Sequence, residues 1–329
     1  MPRQTKAKKH HYIPWSFQER FAGSDLHLWF YDKRERDFGV RRKPIARLFR
    51  EWDLYTVVGP DGARDRATET RLSVIEGKAA SILDRIIAEA RRGQASTFSE
   101  RDREALSAFF IAQFRRSPDL HSTVAGRRHV EAAAAEIAAE WEAAGHALPR
   151  DQRTTVESER LSRKIRGNLL AANAADPLLT ASAAMMQRGF VTGIIRLPRR
   201  SFVLGSTQFA RFMSPRRRQD LGDPGSELWL PIAHDVALCS HGLPGPSRLL
   251  EIVRDGDVRK VNGNIVRAST VFASASRELV EALSRRMGEY KPPEGDAAVP
   301  PPGSQPQSST SGDAGGGTSW WSYSASASA

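Results

Sequence analysis

The change of apolar period along the chain limits its fold more than any other feature. Leu26–Asp32 (LHLWFYD) alternates and carries aromatics, as a strand does. Downstream, Leu72, Ile75, Ala79, Ile82, Leu83 and Ile86 recur at helical spacing, and Leu106, Phe109, Phe110 and Phe114 form a second such stripe. Ser99 and Asp102 stand at capping-box positions ahead of it, and Ser117-Pro118 interrupts it. An Ala- and Glu-rich helix is predicted over about 120–144, and another over about 155–187, with breaks at Gly167 and Asp176-Pro177. The second half turns to short apolar runs separated by Pro, Gly or charge: Phe190–Leu197, Ser201–Gly205, Leu228–Ile232 and Val236–Ser240. Helices over Lys260–Ser269 and Ser276–Met287 close the pattern. This order predicts an α+β fold, with a helix-rich N-terminal half packed with a small mixed or antiparallel sheet.

Composition sets the boundaries. After Tyr290 the chain is rich in Pro, Gly and Ser with no apolar periodicity, so 291–329 is predicted to be a disordered tail. Trp320, Trp321 and Tyr323 in that tail read either as a peptide for an unknown protein partner or as stray aromatics. Residues 1–9 read as a flexible basic arm, and 10–290 as a single α+β domain. No run of about 18 apolar residues exists to span a membrane, so no membrane partner is expected. The single Cys239 excludes an intrachain disulfide framework and a multi-Cys zinc site. The expected compartment is the cytoplasm.

The formal net charge is +11 among 329 residues. That balance suits nucleic acid or a phosphate-bearing ligand, although an Arg-rich composition produces it equally well. Arg196, Arg199, Arg200 and Arg216-Arg217-Arg218 form basic clusters around the predicted strands. With Lys6, Lys8 and Lys9 they could track a phosphate backbone, or simply be solvated.

The segment Lys8-Lys9-His10-His11-Tyr12-Ile13-Pro14 places two imidazoles beside two ammonium groups. Such a group offers acid/base or metal-ligand capacity next to anion-binding capacity. Pro14 holds Ile13 extended and suits the start of a helix carrying Phe17 and Phe21 on one face. In an extended segment only one of His10 and His11 faces inward.

In order along the chain, HHYIP, LHLWFYD, Trp52-Asp53-Leu54-Tyr55-Thr56, the helix with Glu69 and Glu76, and FFIAQFRRSP resemble motifs of the domain of unknown function 4238 family. Gln113, Arg116 and Pro118 fall on that family's Q-x-x-R-x-P helix end. LWLPIAHDVALC and VNGNIVRASTVFAS resemble its later strand pair and closing Asn-containing helix, so the resemblance runs from about Lys8 to Leu283. One departure stands out. Where the family reads f-i-t-S-D-n-P, this chain has Phe202–Phe209, with Gly205 or Ser206 at the serine and neither the aspartate nor the proline. The family implies no established activity. HHYIP also resembles the His-His-x-x-Pro core of some HNH-type nucleases, which implies one His on a divalent metal and one activating water. That mechanism needs a further Asn or His soon after. The first Asn is Asn168, and only His27 lies nearby.

Glu76 lies on the apolar stripe of its helix, and a carboxylate there must be paired, protonated or functional. Gln113 and Arg116 are three apart on the next helix. A Glu76–Arg116 pair is therefore expected, either as an interhelix tie or as part of a phosphate or carboxylate pocket. The site residues are then His10, His11, Glu76 and Arg116 as catalytic, with Lys8, Lys9, Gln113 and Ser206 binding ligand. Glu69, Asp53 and His27 are further partners for the histidines. Cys239 beside His241 reads as core rather than a dyad. Two functions are compatible with these residues: a metal-assisted phosphodiesterase centred on His10 or His11 with an unidentified divalent metal, or a non-catalytic nucleic-acid or phosphate-ligand binding module.

Overall fold

The computed structural model describes residues 9–120, 179–212 and 225–286, with short interruptions at 53, 55–56, 59–63, 66 and 243–244 and isolated positions between 132 and 169. The tail 291–329, residues 1–8, the helix expected over 120–144 and most of that over 155–187 lie outside the described residues. Lys9 does not belong to an arm, because it opens strand β1 (Lys9–His11).

The architecture is α+β. Helix α1 (Trp15–Glu19) starts directly after Pro14 and buries Phe17. Helix α2 (Ala67–Arg91) buries Leu72, Ala79, Leu83, Ile86 and Ala90, a stripe at spacings of three, four and seven. Helix α3 (Glu100–Arg116) begins at Ser99, whose side chain accepts from Asp102 N while Asp102 reaches back to the Ser99 amide. The α3 stripe runs Leu106, Phe109, Phe110 and then Gln113 and Arg116, so its last turn carries polar side chains into the interior. α2 and α3 pack together, and α3 also packs on α4 (Leu179–Met186).

The sheet expected as one small unit is divided. A five-stranded mixed sheet has the order β12-β7-β11-β10-β9, from Arg248–Ile252, Gly189–Ile195, Val236–His241, Glu227–Pro231 and Ala210–Phe212. Only β12 and β7 are parallel in it. A four-stranded antiparallel sheet has the order β3-β2-β13-β8, from Arg41–Pro44, His27–Asp32, Val271–Ser274 and Leu204–Gly205. Two ribbons pair β1 with β4 (Arg50–Trp52) and β5 (Val57–Val58) with β6 (Arg64–Asp65). Helices α5 (Asp255–Ala268) and α6 (Arg277–Ser284) flank β13. The closing helix read from VNGNIVRASTVFAS is therefore split. The β-branched Val271 and the aromatic Phe272 continue as a strand beside β2.

Buried hydrophobics form one cluster. Its aromatic part passes from Phe17 to Phe109 at 6.0 Å, and from Phe110 to Phe190 and Phe209 at 6.0 and 5.5 Å. Of the strand expected over Ser201–Gly205, only Leu204–Gly205 pairs. Val203 N instead donates to Asn262 Oδ1 at 3.0 Å, and Asn262 Nδ2 donates to Ser201 O at 2.9 Å, so one amide on α5 satisfies this backbone. Gly205 is obligatory: a Cβ there would stand 2.3 Å from Ser269 Oγ and 2.5 Å from Ile265 Cγ2.

Candidate functional site

β1 and β4 pair with His10 opposite Glu51 and His11 opposite Arg50. The strand period separates the two imidazoles, as expected. His10 is buried, with Nε2 3.5 Å from Glu69 Oε2 on α2. His11 is half-buried and stands edge-on to Trp15, ring centroids 6.4 Å apart. Its pKa is lowered from 6.5, by burial first and then by the Arg50 guanidinium, with Arg116 adding to the effect; carbonyls of Ile45 and Ala46 oppose it. A neutral imidazole follows at pH 7.

Arg116 pairs with Glu76 across the α2–α3 interface, and its other terminal nitrogen donates to His11 O at 2.8 Å. Only 4% of Arg116 is exposed, whereas Glu76 keeps a solvent edge. The expected pair thus forms, and it also fixes the HHYIP segment against α3. One turn earlier, Gln113 Oε1 accepts from Gln208 Nε2 at 3.0 Å. Gln113 Nε2 and Gln208 Oε1 are buried without a hydrogen-bond partner among the described residues.

The residues just after Arg116 build a second hub that sequence reasoning missed. Asp119 Oδ2 accepts from Ser206 Oγ and from Thr207 Oγ1, the latter at 3.0 Å. Asp119 Oδ1 accepts from Thr270 N at 3.1 Å and from Thr270 Oγ1. Ser206 Oγ in turn accepts from Val271 N at 3.1 Å, and Thr207 Oγ1 lies 3.1 Å from Ser117 Oγ. Tyr12 and Lys33 feel the same carboxylate. The Tyr12 phenol is pushed far up, by burial first and by Asp119 next. Burial lowers the Lys33 ammonium pKa while Asp119 opposes the shift. Lys33 Nζ donates to Val266 O at 2.6 Å, at the C-terminal end of α5 where a cation complements the helix dipole. A carboxylate thus stands at the segment where the aspartate seemed lost, but it comes from Asp119. The only signal was the run Arg116-Ser117-Pro118-Asp119, a polar cluster at an interrupted helix end.

This geometry limits the chemistry. A carboxylate offers about four lone-pair sites; Ser206 Oγ, Thr270 N and Thr270 Oγ1 donate to Asp119, and the single Thr207 hydroxyl proton is shared between Asp119 and Ala268 O. Ser206 is fully buried, so it meets no ligand from solution. Among the described residues no three His, Cys, Asp or Glu side chains are grouped to hold a metal ion. His27 does not join the histidine pair; its Nδ1 lies 2.6 Å from Asp25 O. Asp53, Lys8, the Lys9 side chain and Arg216–Arg218 lie outside the described residues. Arg196 pairs with Glu251 and Arg200 with Asp255. The buried Cys239 thiol is pushed far up, chiefly by burial, so it is not a nucleophile. No helix among the described residues is long and apolar enough to cross a membrane.

A family model described as "Protein of unknown function (DUF4238)" matches residues 9–190, more than half of the chain. The resemblance in the strand pair and closing helix lies beyond that range. No curated protein matches significantly. No solved structure matches significantly.

Proposed function

The chain belongs to the DUF4238 family of proteins of unknown function, and we propose that it is a non-catalytic module that binds nucleic acid or another phosphate-bearing ligand. The observation that carries this reading is the engagement of Asp119. Its carboxylate accepts from Ser206 and twice from Thr270, and Thr207 Oγ1 lies within hydrogen-bond reach of it. Arg116 is likewise turned inward to Glu76 and His11 O. These groups are spent on holding segments together. The net charge of +11 then serves association rather than chemistry.

A second reading is the metal-assisted phosphodiesterase centred on His10 and His11. The His10–Glu69 approach favours it, because a carboxylate can orient an imidazole. One such dyad supplies too few ligands to fix a divalent ion. Wild type and a His10→Ala/His11→Ala variant separate the two readings. Nucleic-acid binding is measured across a salt series, and cleavage with added divalent metals. Binding that weakens steeply with salt in both proteins, without cleavage, supports the module. Metal-dependent cleavage that disappears in the variant supports the enzyme. Absence of both at low salt refutes both readings.

A further inference from the structure

Basic side chains meet aromatic rings around β3, at the edge of the four-stranded sheet. Phe38 ends a 3-10 helix (Lys33–Phe38) and is 67% exposed, an unusual position for so apolar a ring. Arg41 on β3 lies 5.0 Å from its centroid and 4.9 Å from that of Phe30, so the guanidinium sits between two rings. Trp29 on β2 is flanked by Arg42 at 5.7 Å and by Arg277 of α6 at 5.1 Å. Register explains the pairing: Trp29 is opposite Arg42 and Phe30 opposite Arg41, so each ring meets the cation on its own face. Between Phe38 and α6 runs an open groove of about 360 Å³, lined by Phe38, Gly39, Val40, Arg277, Glu281 and Arg285. Gly39 makes the turn into β3 with φ +58, and no atom comes within 4 Å of where its Cβ would be, so the groove is open there.

We propose that β3, the preceding 3-10 helix and α6 form a platform for single-stranded nucleic acid, with Phe38 stacking on a base and the surrounding cations contacting phosphates. It rests on the phosphate-binding reading above and names its surface and its ligand. β3 is an edge strand, which in principle invites an added peptide strand. Its sequence Arg41-Arg42-Lys43-Pro44 opposes that: three consecutive cations repel an added strand unless it is acidic, and Pro44 has no N–H to donate. The same three cations attract a polyanion. Base stacking on an exposed ring requires an unpaired base, which selects single strands over duplex. Arg41, Arg42 and Arg277 already touch Glu35, Asp25 and Glu281. These are solvent-exposed pairs, which phosphate oxygens can replace at small cost. Lys43 and Arg285 have no carboxylate partner among the described residues.

The test uses the full chain and a labelled 20-nucleotide oligo(dT), its duplex with oligo(dA), and poly-glutamate as competitor, read by anisotropy over a salt series. The variants are Phe38→Ala and Arg277→Gln, both at exposed positions, with Arg248→Gln on the other sheet as control. The platform predicts single strand bound more tightly than duplex, about a tenfold loss for Phe38→Ala, and a salt slope for Arg277→Gln shallower by about 0.7. The control should be silent. If wild type binds but Phe38→Ala and Arg277→Gln match it, the platform is wrong while the phosphate-binding reading stands. Equal binding of duplex, or displacement by poly-glutamate as effective as by unlabelled oligo(dT), also overturns the platform. If wild type binds no nucleic acid at low salt, the reading beneath it fails first.

Discussion

Replacing Asp119 by alanine tests whether the second hub holds the molecule together. The substitution removes the acceptor of four hydrogen bonds, from Ser206 Oγ, Thr207 Oγ1, Thr270 N and Thr270 Oγ1. Not all four donors are stranded. The Thr207 hydroxyl can turn its one proton to Ala268 O at 3.0 Å, and the half-buried Thr270 hydroxyl can turn to water. The Ser206 hydroxyl has no such recourse, because it is fully buried. At about 1–3 kcal/mol for an unsatisfied buried group, Asp119→Ala should cost about 1–3 kcal/mol. Adding Ser206→Ala to that background removes one orphaned donor but strands Val271 N, which Ser206 Oγ otherwise accepts. The double-mutant cycle should therefore give a coupling between Asp119 and Ser206 of about 1.5–3 kcal/mol, the range for a hydrogen bond to a charged group. The assay is urea unfolding, with the midpoint shifting and the slope unchanged. A loss under about 0.5 kcal/mol, or strict additivity of the two substitutions, would refute this reasoning.

Arg116→Ala should cost about 3–5 kcal/mol, since it strands Glu76 at a partly buried position and frees the His11 carbonyl; the same urea titration checks it, and Arg116→Lys should recover only part, because one ammonium nitrogen replaces the two-pronged guanidinium fork. Gly205→Ala should cost about 1–3 kcal/mol by overpacking against Ser269 and Ile265, measured as a lowered unfolding midpoint. His11 has a folded pKa below its unfolded value of 6.5. Below that pH the unfolded chain takes up a proton that the folded chain refuses until lower pH, so stability falls as pH falls through this window and levels off beneath the folded pKa. His11→Asn should flatten that part of the stability–pH curve; an unchanged slope between about pH 7 and pH 5 would exclude His11 as its source.

Some of this was legible in the sequence because it was local. α2 and α3 follow from stripes at three-and-four spacing and a capping box, and Glu76 and Arg116 could be paired because each interrupts such a stripe. The helix end near Ser269 was legible, but the strand β13 that follows it was not. Helix spacing continues formally through Val271, and only the pairing with β2 decides for a strand. β3 and β12 were missed because their charge hides strand alternation, as edge positions allow. The Asp119 hub was invisible for a different reason. Its parts come from the end of α3, the turn after β8 and the start of β13, and no local period links them.

The distances along the chain within that hub bear on how the protein folds. Asp119 bonds to Ser206 and Thr207 across 87 and 88 residues and to Thr270 across 151. Each such closure must overcome loop entropy before its hydrogen bonds contribute, and contacts of this range slow the search for the native topology. α2 and α3 can associate early, because Arg116 and Glu76 are only 40 residues apart. The Asp119 contacts can close only when β8 and β13 of the four-stranded sheet have both arrived at the end of α3, which makes them a late event. They should therefore have little structure in the transition state, and substitutions there should speed unfolding far more than they slow folding. The hub acts as a kinetic clasp: it sets how long the assembled chain stays folded rather than how fast it gets there.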